Sequence, residues 1–271
     1  MSQYMLIKYC QIYVWKDTKK KLYLSNTQQR ITMYSRKGDE VILVISDLHA
    51  PYHHQDALEF LEAIKEKYKP TLVLNVGDEL DYHALSFHAS DPDLDSAGVE
   101  LKKGQKVLKE LEQIFPEMIL VDSNHGSMKY RKAKVNGIPR ELMVSYNIAC
   151  GVGDGWVWFN NFTTEMQDGR QLFMTHGMKK NGVQLSKEMG MCVVQGHYHT
   201  EFNIQYCGNP NVLNWSMMVG CLINNRSMAF AYNKTFPARP ILGCGLIVNG
   251  QPHLIPMVKT NTGKWNKTLT F

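Results

Sequence analysis

Histidine, aspartate and asparagine recur in clusters at five places along the chain: Asp47-Leu48-His49, Gly77-Asp78-Glu79-Leu80-Asp81, Ser123-Asn124-His125, Thr175-His176-Gly177 and Gly196-His197-Tyr198-His199, the second of these contributing carboxylates alone. Together they offer carboxylate oxygen, amide oxygen and imidazole nitrogen, a donor set suited to divalent manganese, iron, zinc or magnesium. A lone histidine such as His54 or His253 carries no such meaning, because a solvated or hydrogen-bonded histidine is the ordinary case. Local turn and cap bonding explains why Asp, Asn, Ser and Gly follow strands. It does not explain histidines in the same positions.

Each cluster closes a short apolar run. Val41-Ile42-Leu43-Val44-Ile45 has the texture of a strand buried on both faces, and Thr71 to Val76 and Met118 to Val121 repeat it. Between them, Asp56 to Tyr68 places Ala57, Phe60, Leu61, Ile64 and Tyr68 on one helical face and stops at Lys69-Pro70, and a second helix is expected around Val107, Leu108, Leu111 and Ile114. This alternation predicts a mostly parallel sheet with helices on its faces, and ligands gather beyond the carboxyl ends of such strands. After Gly155 further strands are expected at Gln171 to Thr175, Cys192 to Gln195, Glu201 to Tyr206, Val212 to Val219, Met228 to Tyr232 and Ile241 to Val248, with a helix from Asn181 to Met189. Residues 1–40 read as an N-terminal extension, 41–260 as the catalytic domain and 261–271 as a C-terminal tail.

In this order the clusters resemble the motifs of the calcineurin-like metallophosphoesterase family, D-x-H, G-D-x-x-D, G-N-H, a lone His and G-H-x-H, over about Val41 to Thr200. The resemblance implies an α/β fold, a four-layered α/β/β/α sandwich of two mixed sheets flanked by helices, with two divalent ions at the carboxyl edge. It further implies that Asp47, His49 and His199 hold one ion, that Asn124, His176 and His197 hold the other, and that Asp78 bridges them. The chain departs from the pattern at Ser123, where glycine is usual. It departs again at Tyr82, where protein phosphatases of the family carry arginine, which lowers that reading.

Two divalent ions roughly 3.5 to 4 Å apart repel strongly, so a shared carboxylate, here Asp78, is needed to lower the local charge. The pair acidifies a water toward neutrality for in-line attack on phosphorus. Protonation of the leaving oxygen remains, and His125 is the expected acid. The expected cofactors are two divalent ions, manganese foremost, with iron, zinc, magnesium, nickel or cobalt as alternatives. His83 and His88, just past the second strand, and Lys129 and Arg131, just past His125, are expected substrate contacts; a packed helical turn and a solvated helix face are their plain alternatives.

The expected reaction is therefore phosphoester hydrolysis by a phosphodiesterase or nuclease acting on nucleotides or nucleic acid. A phosphomonoesterase such as a nucleotide phosphatase, and a non-catalytic scaffold of the same fold, are the alternatives. The Asp-Ser-Asn-His-Gly-Ser segment also resembles phosphoesterases of bacteriophage genomes, some related to DNA-repair nucleases, which implies nucleic acid as partner.

Composition sets the outer bounds. A hydrophobic fraction of 44% and a charged fraction of 20% suit a folded chain. No apolar stretch approaches the roughly 20 residues that span a bilayer, so a cytoplasmic location is expected, a host cytoplasm for a phage protein, with no membrane partner. The six cysteines show no C-x-x-C pairing and read as reduced thiols. The net charge of +5, with basic clusters at Lys19 to Lys21, at Lys102, Lys103 and Lys106, and from Lys129 to Lys134, suits a phosphate-bearing partner.

Overall fold

A computed structural model describes residues 39–87, 93–224, 227 and 239–270. Residues 1–38, with Lys19 to Lys21, the expected strand at Met228 to Tyr232, and His88 lie outside the described residues.

The strand-helix alternation unfolds as expected. β1 (Val41–Ile45), α1 (Ala57–Tyr68), β2 (Leu72–Asn75), α2 (Ala97–Ile114) and β3 (Met118–Val121) follow in turn. Lys69 ends α1 in the left-handed conformation immediately before Pro70, as the stop signal requires. Two helices without an expected counterpart, α3 (Met128–Val135) and α4 (Tyr146–Cys150), lead into β4 (Trp156–Phe159), and β1 to β4 form a parallel ladder.

A second sheet contains β5 (Phe162–Glu165), β6 (Gln171–Thr175), β7 (Cys192–Gln195), β8 (Phe202–Gly208) and β9 (Leu213–Val219), with α5 (Gly182–Met189) crossing between β6 and β7. The chain then returns to the first sheet as β10 (Gly243–Val248), antiparallel to β1, and β11 (Gln251–Pro256) at its edge. The orders are β11-β10-β1-β2-β3-β4 and β5-β6-β7-β9-β8. β4, β5 and β11 were not expected individually. Pro252 and Pro256 disguise β11 as a loop, although an edge strand tolerates them.

Alternation along the strands builds the layers. In β1, Leu43 and Ile45 pack with Phe60, Leu61 and Leu108 of the helices, while Ile42 and Val44 face Leu172, Met174 and Met217 of the second sheet. In the second sheet Phe173 and Val193 turn the other way, onto Leu185 of α5. The result is helices, sheet, sheet and helix, two mixed sheets flanked by helices. Among the described residues no helix is long and apolar enough to cross a membrane.

The stretch after β11 is part of the same packing. Trp265 is buried edge-to-face on Phe60, their centroids 5.4 Å apart, and its amide donates to Asp56 Oδ2 at 2.8 Å. Trp265→Ala is expected to cost about 3 kcal/mol in chemical denaturation, as truncation of a buried aromatic does. Lys267→Ala, which removes an exposed ion pair with Glu59 and a cation 5.3 Å from the Trp265 ring centroid, should stay within about 1 kcal/mol of the parent chain. Equal, small losses for both would show that Trp265 contributes nothing to the core.

Candidate metal centre

The donor-bearing residues sit where β1, β2 and β3 of the first sheet and β6 and β7 of the second reach their carboxyl ends. Asp47, His49, Asp78 and His197 all take positive φ, between 50° and 65°, a region that Asp and His enter more readily than most residues. Such turns swing side chains from the strand ends back over the sheet edge, at a conformational cost the surrounding bonds must hold. Those bonds are present: Asp47 N–H donates to Gly77 O at 3.0 Å, His49 N–H to Asp78 O at 2.8 Å, and Gly196 N–H to His176 O at 2.9 Å.

Asp47 ties the two sheets together. Its Oδ2 accepts the His197 amide of the second sheet at 2.9 Å and the neighbouring Ser46 hydroxyl. The approach requires glycine at 196, where a Cβ would collide with Ser46 Oγ and Asp47 Oδ2.

All the expected ligands converge. Three overlapping groups, Asp47 with His49 and His199, His49 with Asp78 and His125, and Asp78 with His176 and His197, each have donor atoms within 4.8 Å of one another. His199 Nε2 lies 3.0 Å from Asp47 Oδ1, and His197 Nδ1 lies 3.2 Å from His176 Nε2. Asn124 Oδ1 joins the third group, 2.7 Å from His176 Nε2. Asp78 Oδ2 stands between the groups, 3.5 Å from His49 Nε2 and 3.1 Å from His176 Nε2.

The chemistry of this donor set fits cations. His176 Nδ1 donates to the Val76 carbonyl at 2.7 Å, so its Nε2 lone pair faces the oxygens of Asn124 and Asp78. His49 Nδ1 likewise faces Asp81 Oδ1 at 2.5 Å, which turns its Nε2 toward Asp47 and Asp78. A carboxylate or carbonyl behind each imidazole is the arrangement that orients metal-ligating histidines. Acceptors facing acceptors in a buried space require a proton or a metal ion between them.

Electrostatics agree. Burial alone would raise both carboxyl groups, yet His199, His49 and His176 hold Asp47 well below the usual carboxylate range, and His176, His125 and His49 do the same for Asp78. Burial opposes charge on His176 too, but Asp78 and Asp47 lift it to about 9. His49 is lifted by Asp47, Asp81 and Asp78 against the same burial, whereas burial and the charge of His176 push His197 down.

Of the expected substrate contacts, His83 lies in a 3₁₀ turn (His83–Leu85) with Nδ1 3.9 Å from Asp81 Oδ2. The packed-turn geometry is the one observed, and Glu100 of α2 secures it by accepting the His83 and Ala84 amides at 2.7 and 2.8 Å. Arg131 is exposed and donates to the Asn124 carbonyl. Lys129 is 7% exposed, with Nζ 4.3 Å from the Tyr146 ring centroid and 4.9 Å from that of Tyr130, so it points inward rather than into solvent.

Three supporting residues escaped the sequence reading. Asp81 appeared only as the end of a motif, yet its carboxylate orients His49 and its carbonyl accepts from His125 Nδ1. Glu100 gave no local signal at all. Ser123 stood out as a departure from glycine, and its hydroxyl accepts the Asp78 amide at 3.0 Å and the Gly126 amide at 2.9 Å.

A two-sheet sandwich with this donor cluster along its edge defines a candidate metal-binding α/β fold. The chain belongs to the calcineurin-like phosphoesterase family, whose profile matches residues 41–219, and that family is metal-dependent. Among solved structures it is similar to vacuolar protein sorting 29 from Cryptosporidium parvum, at 15% identity and a TM-score of 0.46, over 86% of this chain and 97% of that one. It is also similar to Vps29 of Chaetomium thermophilum (11% identity, TM-score 0.45, 85% and 94% covered). A third likeness is to the phosphoesterase YfcE of E. coli (14% identity, TM-score 0.40, 85% and 98% covered). Among curated protein sequences none matches significantly.

Two outcomes follow from the geometry. Ser123→Ala strands two buried amides and should cost about 1 to 3 kcal/mol, with weaker manganese binding by calorimetry; an unchanged melting temperature and affinity would refute the role. The second outcome concerns protons. His176 has its folded-state value raised from 6.5 to about 9, so its stabilising contribution is complete below 6.5 and is lost as pH rises through about 9. Asp47 and Asp78, shifted downward from 3.8, contribute above that value and lose it only in acid. Metal-free chain should thus weaken between neutral pH and pH 9, and manganese binding at neutral pH should release roughly one proton or more, read from enthalpies in buffers of different ionisation heat. Binding without proton release would contradict the assignment.

Proposed function

We propose that the chain hydrolyses phosphodiester bonds of nucleotides or nucleic acid with the help of two divalent ions, manganese foremost. The observation that carries this reading is the position of Asp78 Oδ2 between His49 Nε2 and His176 Nε2, one carboxylate oxygen facing both donor groups. Asp47, His49 and His199 would hold one ion and Asn124, His176 and His197 the other, with Asp78 shared. Bound ions of this kind supply an activated hydroxide and neutralise the phosphoryl oxygens.

His125 shares a donor group with His49 and Asp78 and is backed as the other rings are, and it is assigned the acid's role rather than a ligand's. Its Nδ1 donates to the Asp81 carbonyl, which pins the ring and leaves Nε2 as the atom available for proton transfer. Its side chain is 24% exposed where that of Asp81 is 2% exposed, so a leaving oxygen can reach the imidazole. In the proposed role it protonates that oxygen, a contribution of roughly 10² to 10⁴ in rate. Asp81 holds both His125 and His49 from behind, coupling the acid to the ligand set.

Purified chain with manganese should hydrolyse an aryl phosphodiester, and Asp78→Asn should abolish turnover together with stoichiometric metal binding. His125→Ala should keep its metal and lose roughly 10²-fold or more on substrates with alkoxide leaving groups, but much less on a nitrophenyl ester, whose leaving group needs no proton. Turnover of monoesters alone would replace this reading with that of a nucleotide phosphatase. Inertness toward both, with under about one ion bound per chain, would remove hydrolysis altogether.

A further inference from the structure

Phe87 follows the 3₁₀ turn that carries His83 and leaves 50% of its surface in solvent. Two successive residues of α3 bring cations over its ring, Arg131 at 5.5 Å and Lys132 at 4.4 Å from the centroid. Arg131 also donates to the carbonyl of Asn124, whose side chain lies in the metal cluster, so Arg131 links the ring to a residue of the candidate metal centre.

The charge around this ring is one-sided. From Met128 to Arg140 the chain has no acidic residue, and Arg131, Lys134 and Arg140 are all exposed. Some surface cations elsewhere find carboxylates, as in Lys103 with Asp95, Lys179 with Glu188 and Arg170 with Asp168. Among the described residues Arg131, Lys132, Lys134 and Arg140 form no such pair. A half-exposed aromatic ring beside unneutralised cations matches the chemistry of a single-stranded nucleic acid, whose bases present π-faces and whose linkages carry one negative charge each.

We propose that Phe87 stacks a base next to the bond presented to the metal centre, while Arg131 and Lys132 receive the flanking phosphates. The choice of ligand rests on the phosphodiester reading above; the binding itself does not require hydrolysis. A duplex keeps its bases covered and offers the ring nothing to stack on, so the platform selects single strands.

The test uses the full chain with manganese and two fluorescently labelled, hydrolysis-resistant phosphorothioate strands of equal length, one of thymidines and one abasic. Fluorescence anisotropy should show the base-bearing strand bound roughly tenfold more tightly, the size of one stacking contact. Phe87→Ala should erase that preference without changing abasic binding, and Phe87→Trp should preserve it. Lys132→Ala should weaken both strands equally and reduce the salt dependence by about one charge. Equal binding of the two strands by the parent chain, or a preference that survives Phe87→Ala, overturns the proposal. A chain inert toward every phosphoester that keeps the Phe87-dependent preference loses the hydrolase reading and retains the platform. One that cleaves aryl diesters without the preference does the reverse.

Discussion

The structure depends on one electrostatic constraint: lone pairs of two buried carboxylates, an amide and several imidazoles face one another at the sheet edge. Their mutual repulsion is relieved only by positive charge, held as protons on His49 and His176 or as metal ions in their place. The same constraint explains the backing bonds. Val76 carbonyl behind His176 and Asp81 carboxylate behind His49 each fix which nitrogen faces the centre, so the rings cannot escape the crowding by rotating.

Holding such a cluster takes both sheets. The first sheet contributes Asp47, His49, Asp78 and Asn124, the second His176, His197 and His199, and the apolar layer of Ile42, Val44, Leu172 and Met217 keeps the two edges in register. Left-handed backbone at Asp47, His49, Asp78 and His197 is tolerable because these residue types enter that region at modest cost and because strand-end amides are bonded across the gap. Position 123 shows how local chemistry adapts. A serine where the motif has glycine adds a hydroxyl that two otherwise stranded amides use, and Gly77, whose Cβ would strike Ser123 Cβ, gives it room.

The convergence of the donor residues was legible because each follows a strand whose apolar run is conspicuous, and a strand end fixes where its next residues go. The helix-strand order of residues 41–121 was legible for the same reason. The inward position of Lys129 was not legible because α3 lacks an apolar stripe: Met128, Lys129 and Ala133 face inward while Arg131 and Lys134 face out, a phase that the run Lys129-Tyr130-Arg131-Lys132 does not reveal. Glu100 was hidden by distance, since nothing in an exposed-looking helix shows that a carboxylate will cap amides on a turn 16 and 17 residues earlier. Trp265 likewise finds Asp56 and Phe60 only once the sheet has closed.

Because Asp47 both faces the cluster and accepts a second-sheet amide, the centre and the sandwich are not independent. Any cation that organises Asp47 also fixes the strand end bearing His197 and His199, and any disorder at that junction scatters ligands from both sheets. Binding free energy at this edge therefore enters the folding equilibrium directly, as it does wherever a site exists only in the native state. The crowding that makes the unliganded edge costly is in this sense what couples the chemistry of the centre to the stability of the fold.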